Sequence, residues 1–216
     1  MGNGKLYLES CCTSLDEVKN ACLLGADRIE LCEDISVGGV TPSLSLVKEV
    51  LSSSAIPVNV MIRPRGGNFV YSEEEIVKML ADIRLIGDLE IDCKRVNGFV
   101  FGCLTSENEV DMPTMRKLVD AVNCLNRHYG ITFHRAFDCV KNPEKALEDI
   151  ISLGCTHLLT SGNMEDAFVG RYNIARLVGQ AAGRITIIAG KGIRKSNLHQ
   201  IAEDSKAPQF HGTSLF

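Results

Sequence analysis

The sequence lacks the segments that mark a membrane or secreted protein. No apolar run among its 216 residues reaches the roughly 18 that a membrane helix needs, and no secretory signal opens the chain. A strong charge of one sign is also missing, since the formal net charge is −4 and the isoelectric point is about 5.8. We therefore expect neither a membrane nor a nucleic acid among the partners, because both surfaces attract basic proteins.

Cysteine is abundant, but the spacing of a zinc or dithiol motif is absent. The nine cysteines are odd in number, and no two of them have the CxxC spacing. Several lie inside helix-like or strand-like runs. Reduced thiols are the better interpretation, and a cytoplasmic location is the corresponding expectation.

Linkers and low-complexity tracts are absent as well, so we predict a single domain over residues 1–216. Short apolar runs recur about every 25–30 residues, at 6–11, 28–32, 58–63, 98–102, 131–134, 157–161, 185–190 and 209–211. Helix signals separate them, including Ser14 and Ser72, each followed three residues later by a glutamate as in a capping box. Serial strand–helix units predict a parallel sheet. Eight units favour a closed TIM-type (β/α)₈ barrel, with a doubly wound open sheet as the alternative.

Alternate positions along the strands carry a polar set of side chains. Successive side chains on a strand point to opposite faces, and one face here is aliphatic or aromatic, as at Ile29, Ile62 and Phe133. The other face holds two carboxylates, an arginine and two imidazoles: Glu9, Glu30, Arg63, His134 and His211. Because parallel strands are usually apolar on both faces, this polar face predicts a site at the C-terminal mouth of the barrel.

Two interpretations of the polar face remain open from the residues alone. In an enzyme, Glu9 or Glu30 would act as general base with a histidine as acid partner, and Arg63 would hold a carboxylate or phosphate. Loops after strands seven and eight would add amides, a cation and hydroxyls for a small anionic, for example phosphorylated, metabolite: Gly190, Lys191, Gly192, Thr213 and Ser214. The alternative is a structural Glu–Arg–His network that fills the barrel.

Five stretches resemble the CutC copper-homeostasis family. They are RIELCEDISVGGVTPS (28–43), IPVNVMIRPRGGNFVYS (56–72), TFHRAFD (132–138), LLTSG (158–162) and FHGTS (210–214). The resemblance implies a TIM-type barrel, a role in intracellular copper binding, trafficking or buffering, and Cu(I) ligation by Cys11 and Cys32. It also implies a polar strand-end pocket that is formed by Glu9, Glu30, Arg63, His134, Asp138 and His211.

The chemistry of Cu(I) agrees with the cysteine part of this resemblance. Cu(I) prefers thiolate, thioether and imidazole ligands. Cys11 and Cys32 share the inward parity of adjacent strands, so their sulfur atoms are expected to converge, whereas Cys12 points the opposite way. The residues alone slightly favour the enzyme, because a pocket of Glu, Arg and His does not suit Cu(I). The family resemblance makes copper binding the first hypothesis, and the enzyme acting on a small anion is the second.

The chain stops at Phe216, soon after the eighth strand, where the CutC family continues into a further helical segment. We therefore expect a barrel without its last helix. Such a barrel would leave Phe210 and Leu215 exposed, and an exposed apolar patch predicts a homo-oligomer that buries it.

Overall fold

Eight parallel strands close into a barrel in the computed structural model of the protein, which describes residues 5–215. The strands are β1 (Tyr7–Cys12), β2 (Arg28–Leu31), β3 (Val58–Met61), β4 (Gly98–Phe101), β5 (Gly130–Phe133), β6 (His157–Thr160), β7 (Thr186–Gly190) and β8 (Gln209–Gly212). Each strand pairs with the next one in the chain, and β8 pairs with β1. The predicted (β/α)₈ barrel is confirmed, and the open sheet is excluded.

A helix follows each of the first seven strands. These helices are α1 (Leu15–Leu24), α2 (Leu44–Ser53), α3 (Glu73–Gly87), α4 (Met112–Asn123), α5 (Pro143–Ser152), α6 (Arg171–Ala181) and α7 (Lys195–Ser205). Within residues 5–215 no helix follows β8, as expected. In the same part of the chain, no helix has both the length and the apolar content that a membrane crossing requires.

The two predicted capping boxes differ in the structure. At α3, the Ser72 hydroxyl accepts from the backbone N–H of Glu75, and the Glu75 carboxylate accepts from the backbone N–H of Ser72. At α1, Ser14 accepts from the N–H of Glu17, but the Glu17 carboxylate accepts from the N–H of Thr13 instead. The capping box at α1 is therefore only half formed.

Apolar side chains form two separate layers around the strands. Ile29, Ile62 and Phe133 belong to the large cluster between the strands and the helices, as their parity predicts. A small second cluster lies inside the barrel and contains Cys11, Cys32, Met61 and Val100. Because the inner layer is this small, polar side chains fill much of the interior.

The expected exposure of Phe210 and Leu215 is wrong. Phe210 is 0% exposed and Leu215 is 3% exposed, and both belong to the large apolar cluster. The segment after β8 runs beside the segment after β7, where Ser214 forms a parallel bridge with Arg194. These two side chains therefore give no reason for self-association, which stays a prediction.

Candidate functional site

A cavity of about 640 Å³ opens at the C-terminal mouth of the barrel. Of the residues predicted for the site, ten line it: Cys11, Glu30, Arg63, His134, Asp138, Lys191, Gly192, His211, Thr213 and Ser214. Three others do not. Glu9 and Cys32 are buried beside it, and Gly190 faces Leu159 so closely that a Cβ atom would lie 2.5 Å from a leucine methyl carbon.

Glu9 is the centre of a buried ionic network that spans β8, β1 and β2. Its carboxylate pairs with Arg28 on one side and accepts from His211 Nδ1 at 2.8 Å on the other. Arg28 also donates to Gln209 at 2.8 Å. Burial opposes ionisation of Glu9, but the His211 hydrogen bond and the Arg28 charge outweigh it and lower the Glu9 pKa to about 2. Glu9 is therefore an anion near neutral pH and accepts the hydrogen bond that orients His211.

Glu30 faces the other nitrogen of the same imidazole. Its Oε1 lies 3.8 Å from His211 Nε2, and its Oε2 has no hydrogen-bond partner among residues 5–215. Burial raises the Glu30 pKa to about 7, so this carboxyl changes its protonation near neutrality. For His211, burial alone would lower the pKa, but Glu30 and then Glu9 raise it.

The sulfur atoms of Cys11 and Cys32 converge beside this carboxyl. They lie 3.7 Å apart, and both cysteines are free thiols. The hydrogen bond with Cys32, followed by burial and by the charge of Glu30, raises the Cys11 pKa well above its ordinary value. Gly39 covers Cys32 closely, since a Cβ atom there would lie 3.2 Å from the sulfur.

Cys11, Glu30 and His211 together form a cluster of candidate metal ligands. One ligand atom from each residue lies within 4.8 Å of the other two, and all three residues are buried. Cys32 is outside this cluster, although its sulfur atom lies 3.7 Å from that of Cys11. The cluster therefore offers one sulfur atom, one imidazole nitrogen and one carboxylate oxygen to an ion, with a second sulfur atom beside it.

Arg63 lies at the end of β3 and is buried without an acidic partner among residues 5–215. Its guanidinium instead donates to backbone carbonyls, those of Val37 at 3.0 Å, Gly39 at 2.8 Å and Gly67 at 2.9 Å. These contacts join the loops that follow β2 and β3. No carboxylate of the described part of the chain therefore compensates the positive charge of Arg63.

His134 lies at the end of β5 as a neutral imidazole. Its Nδ1 accepts from the backbone N–H of Ala136 at 3.3 Å, so the ring proton is on Nε2, which has no partner in the described chain. Burial and the charge of Arg63 lower the His134 pKa to about 3. Gly102 allows the ring this position, because a Cβ atom there would lie 2.8 Å from Nδ1.

Asp138 organises the loop after β6 from the side of the cavity. Its carboxylate accepts from Thr160 Oγ1 at 2.6 Å and from the backbone N–H of Ser161 at 2.9 Å, and it pairs with Arg135 at 3.1 Å. Lys191 follows β7, has a left-handed backbone with φ of 77° and is exposed. Both residues line the cavity.

Arg28 and Phe69 are among the side chains of the site that were not predicted from the sequence. Arg28 has the same parity as Glu30, so alternation alone contained the signal for its inward position. Phe69 carried no such signal because it lies in the loop after β3. Its ring contacts both the Arg63 guanidinium, 4.9 Å from the ring centre, and the His134 ring, at a centroid distance of 5.0 Å.

The fold and the site together define a (β/α)₈-barrel protein whose mouth combines thiols, carboxylates, imidazoles and an arginine. A sequence profile of the CutC family matches residues 6–215, and the chain belongs to that family. It is 46% identical to the human copper homeostasis protein cutC homolog, over 97% of this chain and 73% of the human one. It is 44% identical to a CutC family protein of Parabacteroides distasonis, over 96% of this chain and 82% of the relative.

A solved structure supports the same assignment. The CutC protein of Streptococcus agalactiae superposes with a TM-score of 0.89 at 33% identity, over 98% of this chain and 100% of that one. The family resemblance of the sequence is therefore confirmed.

Proposed function

We propose that the protein binds Cu(I) in the barrel mouth through Cys11 and Cys32, as part of the binding, trafficking or buffering of cellular copper. The observation that carries this proposal is the 3.7 Å separation of the two sulfur atoms, because one ion can contact both at that distance. The human relative is named a copper homeostasis protein, which supports copper as the metal. Thiolate and imidazole are the ligands that Cu(I) prefers, so His211 is the natural third ligand and Glu30 is a poor one.

Competition with a colorimetric Cu(I) chelator under anaerobic, reducing conditions tests the proposal. We expect one Cu(I) per chain in the unchanged protein and a large loss of affinity in Cys11→Ser and Cys32→Ser, because a hard oxygen replaces a soft sulfur. Cys12→Ser is the matched control, since this buried cysteine follows Cys11 on β1 but its sulfur contacts Ser10. Unchanged uptake by the double Cys11→Ser/Cys32→Ser variant would remove the thiols from the copper site.

A second candidate function is acid–base catalysis on a small anionic metabolite. The observation that favours it is Glu30, a cavity-lining carboxyl with a pKa raised to about 7 and one oxygen without a partner among residues 5–215. A group that titrates near the working pH is suited to proton transfer, and His211 lies beside it as the partner. Glu30→Gln separates the two functions, because it abolishes proton transfer and leaves two sulfur ligands for Cu(I).

A further inference from the structure

We propose that Arg63 and His134 form a binding site for the anionic group of a small organic molecule, a carboxylate or a phosphate. This site lies on the β3–β5 side of the cavity, and the thiols lie on the β1–β2 side. It does not depend on copper binding. Three features of the structure support it.

The first feature is the uncompensated charge of Arg63. Arg63 is 4% exposed, and within residues 5–215 its guanidinium donates hydrogen bonds to three backbone carbonyls, which carry only partial charges. A buried ion is costly unless a counter-charge compensates it. The cavity beside the guanidinium is the place where a ligand can supply that counter-charge, and a planar guanidinium suits carboxylate and phosphate oxygens.

The second feature is the unpaired N–H of His134. The imidazole is 3% exposed, and Nδ1 is used by Ala136, so Nε2–H is a buried donor without an acceptor in the described chain. An unsatisfied buried donor costs roughly 1–3 kcal/mol, which an anionic oxygen would recover. The Phe69 ring contacts both the His134 imidazole and the Arg63 guanidinium. The two hydrogen-bond donors therefore pack against the same aromatic side chain.

The third feature is the charge of the surrounding wall. Lys191 and Arg194 line the same cavity, and neither pairs with a carboxylate among residues 5–215. Asp138 is an acidic residue of this wall, but Arg135 and backbone N–H groups already neutralise it. The cavity volume of about 640 Å³ is in the range of small-metabolite sites. Glu30, the other acidic lining residue, lies on the thiol side with Cys11 and His211. Away from that side the lining charges are therefore mainly positive and favour a small anion.

The test measures binding of inorganic phosphate and of malonate by calorimetry at constant ionic strength, so that phosphate and carboxylate ligands are distinguished. We expect saturable binding of at least one probe at millimolar concentration. Arg63→Met should weaken it at least tenfold. Arg65→Met is the matched control on the same loop, because Arg65 pairs with Glu75 and does not line the cavity. The Arg65→Met variant should bind phosphate or malonate as tightly as the unchanged protein does.

Two further variants distinguish a loss of anion binding from a loss of folding. His134→Phe keeps an aromatic ring and leaves the loop contacts of Arg63 in place, and it should weaken binding several-fold with an unchanged circular dichroism spectrum. The Cys11→Ser/Cys32→Ser variant should retain the anion, so a failure of the copper proposal leaves this one standing. No binding of either probe to the unchanged protein, or equal binding to Arg63→Met and Arg65→Met, would overturn the proposal.

Discussion

Glu9 Oε1 lies 2.8 Å from His211 Nδ1, so a side-chain contact inside the barrel joins the first strand to the last. The two residues are also paired in the β1–β8 register. The same carboxylate pairs with Arg28 of β2, which makes Glu9 the common partner of Arg28 and His211 from the two strands that flank β1. Removal of its charge should therefore weaken the barrel where it closes.

Glu9→Gln is expected to lower the free energy of unfolding by about 3–5 kcal/mol, because the loss of one partner leaves a buried charge uncompensated. Urea unfolding followed by circular dichroism measures the change. Glu144→Gln is the control, since the Glu144–Arg176 pair is on the surface and such pairs contribute about 0–1 kcal/mol. Equal stability of the two variants would contradict the ionic network.

Stability should fall in acid partly because of His134. Its pKa is about 3 in the folded protein against 6.5 for an ordinary histidine, so the unfolded chain binds the proton more tightly. The corresponding stability is fully present above pH 6.5 and is lost as the pH falls from 6.5 towards 3. At pH 4.5 the loss amounts to about 2–3 kcal/mol.

His134→Gln removes this titration and should flatten the fall of unfolding free energy between pH 6.5 and 4.5. Thermal and urea unfolding at several pH values measure the slope. His128→Gln is the control because His128 is exposed. A pH profile of His134→Gln that parallels that of the control would show that the imidazole takes up a proton as readily in the folded protein as in the unfolded chain.

Two glycines at α6 should respond in opposite ways to alanine. A Cβ atom at Gly170 would lie 1.8 Å from the carbonyl oxygen of Ser161, whereas one at Gly179 would meet no atom within 4 Å. Gly170→Ala should therefore destabilise the protein by at least about 1–3 kcal/mol through overpacking. Gly179→Ala should stabilise it by about 0.5–1 kcal/mol, because alanine suits a helix interior better. Thermal unfolding measures both effects: the melting temperature should fall in Gly170→Ala and rise in Gly179→Ala.

The nine thiols should differ in reactivity in the metal-free protein. Alkylation with iodoacetamide at pH 8, read by mass spectrometry, should label the exposed Cys93, Cys124 and Cys139 first. Cys11 should react slowly because the neighbouring Cys32 thiol and burial raise its pKa. Burial likewise raises the pKa of Cys155 to about 12. Early labelling of Cys11 would show that the barrel mouth opens to solvent more widely than its burial indicates.

The strand pattern could be predicted from the sequence because alternation reports directly on the two faces of a strand. It placed Ile29 outside and Glu30 inside, and it predicted that the sulfur atoms of Cys11 and Cys32 converge. The same rule could have identified Arg28 as an inward residue. All of these positions depend only on parity and on the adjacency of strands in the chain.

Loop contacts could not be predicted because no periodicity governs them. Arg63 binds the carbonyls of Val37 and Gly67, which lie in two different loops, and Phe69 reaches His134 from a third position. The burial of Leu215 also depends on how the chain turns after β8 beside the loop that follows β7. Such placements arise from long-range packing, which the local sequence does not encode.

The pairing of β1 with β8 has a consequence for biosynthesis. Tyr7 and Gln209 are paired in the β1–β8 ladder. During synthesis, β1 therefore cannot pair with β8 until almost the whole chain has been made. Until residues 209–212 have left the ribosome, β1 carries an open backbone edge, and Glu9 lacks His211 as its partner. An open strand edge on a nascent chain invites pairing with other chains. We therefore expect translation that stalls between β7 and β8 to yield aggregation-prone fragments that depend on chaperones.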